Sequence, residues 1–308
     1  MRGLKRSLIL FTLIAVFVVA LPVTAEEATG GLRYSITVSK FENRAGWHGH
    51  WDIGDAWGTV LTDMLNQTGR FIVLGETDMR AAALDEQDFA ASGRTAGGKK
   101  APVTGQMTPA QLLVKGAITH VQGDTGGEGG GIRVKGFKIG GKAGKGEVNA
   151  TIYIVDSTTG QIMASKSVVG TFKKKGMNVG YATGSYGAAF GGHKNDNVGL
   201  AVQDACANAV AFMLEQLPNF QWTGSVVMVK DGKVYVNRGT REGIGVGQSF
   251  IVGEVEVLRD PDTGEVLDED MNEVARLEVT KVKEKLSICS VASGSASAVA
   301  KGMTVHVP

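Results

Sequence analysis

Apolar residues recur along this chain at two different periods, and the switches between them mark its elements. Residues 32–41 (LRYSITVSKF) alternate, which predicts a half-buried strand ending at Asn43-Arg44. In residues 55–66 (DAWGTVLTDMLN), Trp57, Val60, Leu61, Met64 and Leu65 fall three and four apart. That spacing predicts an amphipathic helix, with Asp55 as N-cap and Gly69 near its end. Residues 70–74 (RFIVL) read as a short buried strand, and 77–89 as a second helix capped by Thr77 or Asp78. A Gly/Lys-rich polar stretch, 92–104, follows. Thr108-Pro109 predicts a further helix, because Thr at N-cap followed by Pro at N1 is a favoured start. Residues 113–121 (LVKGAITHV) predict a strand, and 148–167 two strands joined at Thr158-Thr159-Gly160. Residues 198–217 predict a long helix with Ala201, Ala205, Ala209 and Met213 toward a sheet, ended by Pro218.

The order of these elements is that of an α/β domain with a mixed sheet over residues 26–218, followed by a linker at 219–223. Residues 224–308 differ in kind. Short strands there are punctuated by Asp231-Gly232, Glu242-Gly243, Asp262-Thr263-Gly264 and Lys301-Gly302, which predicts a small all-β barrel or sandwich. The expected fold class is therefore α+β.

Two Gly-rich segments, 123–148 and 170–198, interrupt the first domain. Both exceed the usual connection of about 4–6 residues. Each has room for two strands of about 9–11 residues, the length that crosses a membrane in a barrel. Met177, Val179 and Tyr181 alternate with Asn178, Gly180 and Ala182, and Tyr186 and Phe190 suit an interfacial girdle. In the first segment Ile132 and Val134 alternate with Arg133 and Lys135, but the parity slips at Phe137-Lys138-Ile139. A bulge or turn near Gly136 or Gly140 accounts for the slip. On a lipid face each of Arg133, Lys135 and Lys138 would cost about 2–4 kcal/mol at the midplane. In a barrel they therefore belong in the lumen. The competing reading makes both segments solvated loops on a soluble periplasmic ring.

Composition narrows the field. Of 308 residues 44 are Gly, concentrated in those two segments, and 43% are hydrophobic, enough for ordinary cores. Residues 1–25 carry Arg2, Lys5 and Arg6, then a 14-residue apolar run (8–21) and an A-x-A-like Val23-Thr24-Ala25, the form of a cleaved signal peptide. Without them 29 Lys+Arg face 31 Asp+Glu, a net charge of −2, which argues against a nucleic-acid partner. Residues 26–308 contain no other long apolar run, so spanning a membrane would require a closed β-barrel. Cys206 and Cys289 fall in different predicted domains and read as two buried thiols, with a disulfide the alternative. Trp47-His48-Gly49-His50-Trp51-Asp52 has metal-ligand chemistry but reads better as a loop packed by its tryptophans. No P-loop match and no nucleophile–base order is present, so neither a cofactor nor catalysis is expected.

Several motifs carry a resemblance. They are Phe41-Glu42-Asn43-Arg44, Ile53-Gly54-Asp55, Thr62-Asp63-Met64-Leu65, Gly69-Arg70-Phe71-Ile72-Val73-Leu74 and Gly116-Ala117-Ile118-Thr119. With Asp156-Ser157-Thr158-Thr159-Gly160-Gln161-Ile162, they resemble the curli secretion channel (CsgG) family in order and spacing. The resemblance implies a homo-oligomeric ring in the outer membrane, in contact with its lipid. Each subunit would give two hairpins to a shared barrel that exports unfolded fibre subunits or works with periplasmic accessory proteins. The sequence departs from the curli channel in having no lipidated Cys and in its extra C-terminal domain. That domain resembles one found in flagellar H-ring assembly proteins, through Gly232-Lys233-Val234-Tyr235-Val236-Asn237 and Gly243-Ile244-Gly245-Val246-Gly247-Gln248.

Overall fold

In the computed structural model, which describes residues 31–99, 101–123, 132–134, 137–139, 145–173 and 197–308, strand β1 (Tyr34–Val38) is buried at every position. It owes this to its place in a mixed sheet. Helix α1 (Ile53–Gln67) crosses from β1 to a parallel neighbour, β3 (Phe71–Val73). On the other side β1 pairs in parallel with β4 (Leu112–Gly123), and short β2 (Glu42–Asn43) continues along the same strand. Strands β7 (Lys145–Asp156) and β8 (Ile162–Lys173) extend the sheet antiparallel, giving the order β3-β1-β4-β7-β8. One face is covered by α1 and by α3 (Asn197–Gln216). There Trp57, Leu61 and Leu65 join Ala201, Ala205, Ala209 and Met213 in one core. Each buried Leu or Ile contributes about 1.5–3 kcal/mol.

Three local expectations are corrected. The cap of α1 is Asp52, whose Oδ1 accepts from the Gly54 and Asp55 backbone N–H groups at 2.8 and 3.1 Å. Helix α2 (Thr77–Ala91) starts after Glu76, with no side-chain cap. Thr108-Pro109 opens no helix. The Pro109 carbonyl accepts from Ser35 Oγ at 2.9 Å, and the Gln111 amide oxygen accepts from the Ser35 N–H at 3.0 Å. These bonds hold 109–111 beside β1 and satisfy its buried Ser35, so tertiary pairing overrides the local helix signal.

The C-terminal strands close into a six-stranded barrel in the order β10-β13-β12-β11-β14-β9. They are β9 (Thr223–Lys230), β10 (Lys233–Val236), β11 (Ser249–Arg259), β12 (Val266–Lys283), β13 (Leu286–Gly294) and β14 (Thr304–His306). Asp231 and Gly232 both have positive φ, 52° and 69°, as the tight turn joining β9 to β10 requires. Beyond the barrel wall β11 and β12 continue as an exposed two-stranded ribbon, ending in a turn at Asp260–Gly264.

The expected linker at 219–223 is packed. Phe220 and Trp222 are buried. Trp222 stacks on Phe250 at 5.5 Å, and Tyr34 meets Phe220 edge-on at 6.0 Å. The Arg33 N–H also donates to the Glu242 carbonyl at 2.9 Å. The core therefore runs from the sheet into the barrel without a break. Cys206 and Cys289 are both free and buried, which pushes both thiols up, Cys289 to about 11.

Candidate functional site

Strands β4, β7 and β8 end together at one end of the sheet. The β4–β7 ladder runs out to Gly123 opposite Gly146, and the β7–β8 ladder to Lys145 opposite Lys173. The first Gly-rich segment joins β4 to β7 there, and the second joins β8 to α3. All four chain passages thus leave or return at one place, the root of the two arms.

Close approach fixes this root. A Cβ on Gly170 would lie 2.0 Å from the Ala201 carbonyl oxygen, and one on Gly146 2.2 Å from that of Asn197. Only glycine lets the first turns of α3 press onto β7 and β8. β8 is an edge strand, and an open edge invites pairing. Two α3 side chains occupy part of it. Asp204 accepts from the Thr171 backbone N–H at 2.8 Å, and Asn208 Nδ2 donates to the Val169 carbonyl at 2.9 Å. Sequence reading missed this pair. Its signal is two polar residues, Asp204 and Asn208, four apart and so on one side of a mostly apolar helix.

Between β4 and β7, short strands β5 (Ile132–Val134) and β6 (Phe137–Ile139) pair antiparallel. The register sets Ile132 opposite Ile139, Arg133 opposite Lys138 and Val134 opposite Phe137. The chain therefore reverses between Val134 and Phe137, where the hydrophobic parity slips. Lys135, Val179, Tyr181, Tyr186 and Phe190 lie outside the described residues.

The family-motif residues are structural supports. Phe41 is buried and stacks on Trp57 at 5.2 Å. Glu42 pairs with Arg44 at 2.7 Å, while the Arg44 N–H bonds the Ile118 carbonyl on β4. The Glu42 hydrogen bond raises the Arg44 guanidinium above its ordinary value. Asn43 clamps the following loop, donating to the Trp47 carbonyl at 2.8 Å. Asp156 accepts from the Thr158 and Thr159 N–H groups at 2.7 and 2.8 Å, and Gly160 takes φ 74° to close the β7–β8 turn. None of these lies at the arm root except through the strands they anchor.

The tryptophan loop is packed as expected, with Trp47 and Trp51 rings 4.7 Å apart. Asp52 is fully engaged. Oδ2 pairs with Lys40 at 2.7 Å, and Oδ1 caps α1. The Lys40 hydrogen bond holds this carboxyl below the usual range. Among the described residues no group of three or more His, Cys, Asp or Glu is placed to hold a metal. Also among them, the one helix long and apolar enough to cross a membrane is α3 with its following turn (Asn197–Asn219), whose Ala and Val stripe is packed on the sheet.

The family model described as "Curli production assembly/transport component CsgG" matches residues 22–248. A comparison with curated proteins finds no significant match. Solved structures of related shape include the hypothetical protein CT253 from Chlamydia trachomatis. It is 12% identical, covering 60% of this chain and 96% of its own, with a TM-score of 0.35. Lipoprotein GNA1162 from Neisseria meningitidis is 16% identical, with 61% and 99% coverage and a TM-score of 0.27. A PelC dodecamer from Paraburkholderia phytofirmans is 14% identical, with 46% and 74% coverage and a TM-score of 0.25. Similarity at that level carries no argument about function.

Proposed function

The chain belongs to the CsgG family of curli production assembly/transport components, and from that membership we propose that it is a homo-oligomeric outer-membrane channel for surface-fibre subunits. The arms 123–148 and 170–198 would each supply two strands to one barrel shared by the ring. The sheet and α3 would form the periplasmic vestibule, and the C-terminal barrel would dock an accessory protein.

One observation carries this reading. Directly opposed residues of an antiparallel pair share a face. The β5–β6 register pairs apolar Ile132 and Val134 with apolar Ile139 and Phe137, and cationic Arg133 with cationic Lys138. A barrel wall needs that division, apolar toward lipid and polar toward the lumen. In the second arm Val179 and Tyr181 would face lipid, with Tyr186 and Phe190 at the interface. The channel would be passive and lined in part by cations.

Each arm has open edges until a neighbouring copy pairs with it, and open edges are not tolerated in lipid. Insertion and assembly would therefore be one event. Membrane fractionation tests the proposal. The mature protein should stay with outer membranes through osmotic shock and high salt, and leave only with detergent. Release by osmotic shock alone would make it a soluble periplasmic ring or scaffold instead.

A further inference from the structure

Where the sheet meets the barrel lies an open cleft of about 360 Å³, within the usual range for small-ligand sites. Its apolar lining includes Tyr34, Leu217, Phe220 and Trp222, three of them aromatic. Its polar groups include Arg70 and His306, and no Asp or Glu is among the described residues that line it.

Arg70 is the unusual member. Its backbone N–H is satisfied by Thr68 Oγ1 at 3.2 Å. Its guanidinium makes no hydrogen bond or ion pair among the described residues, and its Nε is sealed from solvent without a partner. The group lies against Gly31, where a Cβ would be 2.9 Å from a terminal guanidinium nitrogen. A guanidinium presents five donors in a planar fork that matches a carboxylate, and leaving a buried donor unmet is costly. Neither the channel reading nor the sheet packing gives this cation a role.

We propose that this junction is a binding site for an apolar carboxylate, its acid group held by Arg70 and its body laid against Leu32, Pro218 and Val307, over the buried rings of Tyr34, Phe220 and Trp222. A carboxylate fits better than a phosphate. The cleft offers one permanent cation, enough to neutralise a single charge, and its remaining walls are largely apolar. Such a ligand is either the C-terminal residue of a polypeptide or a free organic acid. The site joins residues of the sheet to residues of the barrel, so a bound acid would stiffen one against the other.

The test is titration of the 15N-labelled mature protein, residues 26–308, in whatever assembly it adopts. The ligands are N-acetyl-phenylalanine, its neutral amide and 3-phenylpropionate. The acids should shift the Tyr34 and Trp222 signals and bind at least tenfold more tightly than the amide. Arg70→Gln should abolish that preference. N-acetyl-phenylalanine binding more tightly than 3-phenylpropionate would support a polypeptide chain end, and the reverse order a free acid. Equal binding of acid and amide to the unaltered protein, or no shift at Tyr34 and Trp222, would overturn the proposal. That comparison does not depend on the variant folding, and its outcome is independent of whether the arms form a channel.

Discussion

Gly146 and Gly170 act through the side chains they do not have. A β-carbon at either position would run into α3 backbone. Gly170→Val should therefore lower stability by at least about 1–3 kcal/mol, the usual cost of overpacking, read as a shift in the denaturant midpoint. Asp260 works through charge. Hydrogen bonds from the Thr263 and Asp262 backbone N–H groups hold its carboxyl below the ordinary range. Its folded value lies under its unfolded one, so its contribution is complete above about pH 4 and fades as pH falls through the lowered value. The turn should therefore open on acidification. Asp260→Asn should flatten that response, followed through the Thr263 amide signal. Asp156 builds the same turn between β7 and β8: Gly160 and Gly264 have φ of 74° and 75°, and each closes onto an Asp carbonyl at 2.9 Å. Both turns were legible in the sequence, at Thr158-Thr159-Gly160 and Asp262-Thr263-Gly264, because each is made from local bonds alone.

Elements set by local periodicity were legible, and those set by distant partners were not. The apolar stripes of α1 and α3 placed both helices within a few residues. Asp55 misled as the cap of α1 because the apolar spacing read in the sequence begins at Trp57, whereas the helix starts at buried Ile53, just after Asp52. Asp52→Ala should cost about 0.5–2 kcal/mol, the usual value of a cap, with some further loss from its exposed pair with Lys40. Thr108-Pro109 misled because its helix signal is local, whereas the bonds from Ser35 come from a strand some seventy residues earlier. The linker misled in the same way: short and flanked by two different patterns, it hides Trp222, whose stacking partner is Phe250. Trp222→Ala should cost about 3–5 kcal/mol and loosen sheet and barrel together, visible as lost amide protection on both sides. The β11–β12 ribbon should be dispensable to the fold. Glu256 faces Asp270 across its two strands, and residues 261–270 are all exposed. Replacing 257–269 with Asn-Gly should change stability by less than about 1 kcal/mol in thermal melts.

At the scale of the whole molecule, a mixed sheet and a closed barrel share one core, and the sheet directs two glycine-rich arms from a single root. Family membership and the α+β class were legible from motif order and element order. In the first segment the parity slip pointed to a bulge or turn near Gly136 or Gly140, and the strand register sets the reversal between Val134 and Phe137. Under the proposed shared barrel, partner strands from other copies would leave no mark in one chain's sequence beyond alternation. Planar-bilayer recording tests the channel directly, using the ring extracted in detergent. Wild-type protein should give discrete, long-lived conductance steps, while Val179→Asp or Tyr181→Asp should give none. A detergent-stable wild-type ring that never conducts, or Asp variants that conduct like the wild type, would contradict the shared barrel.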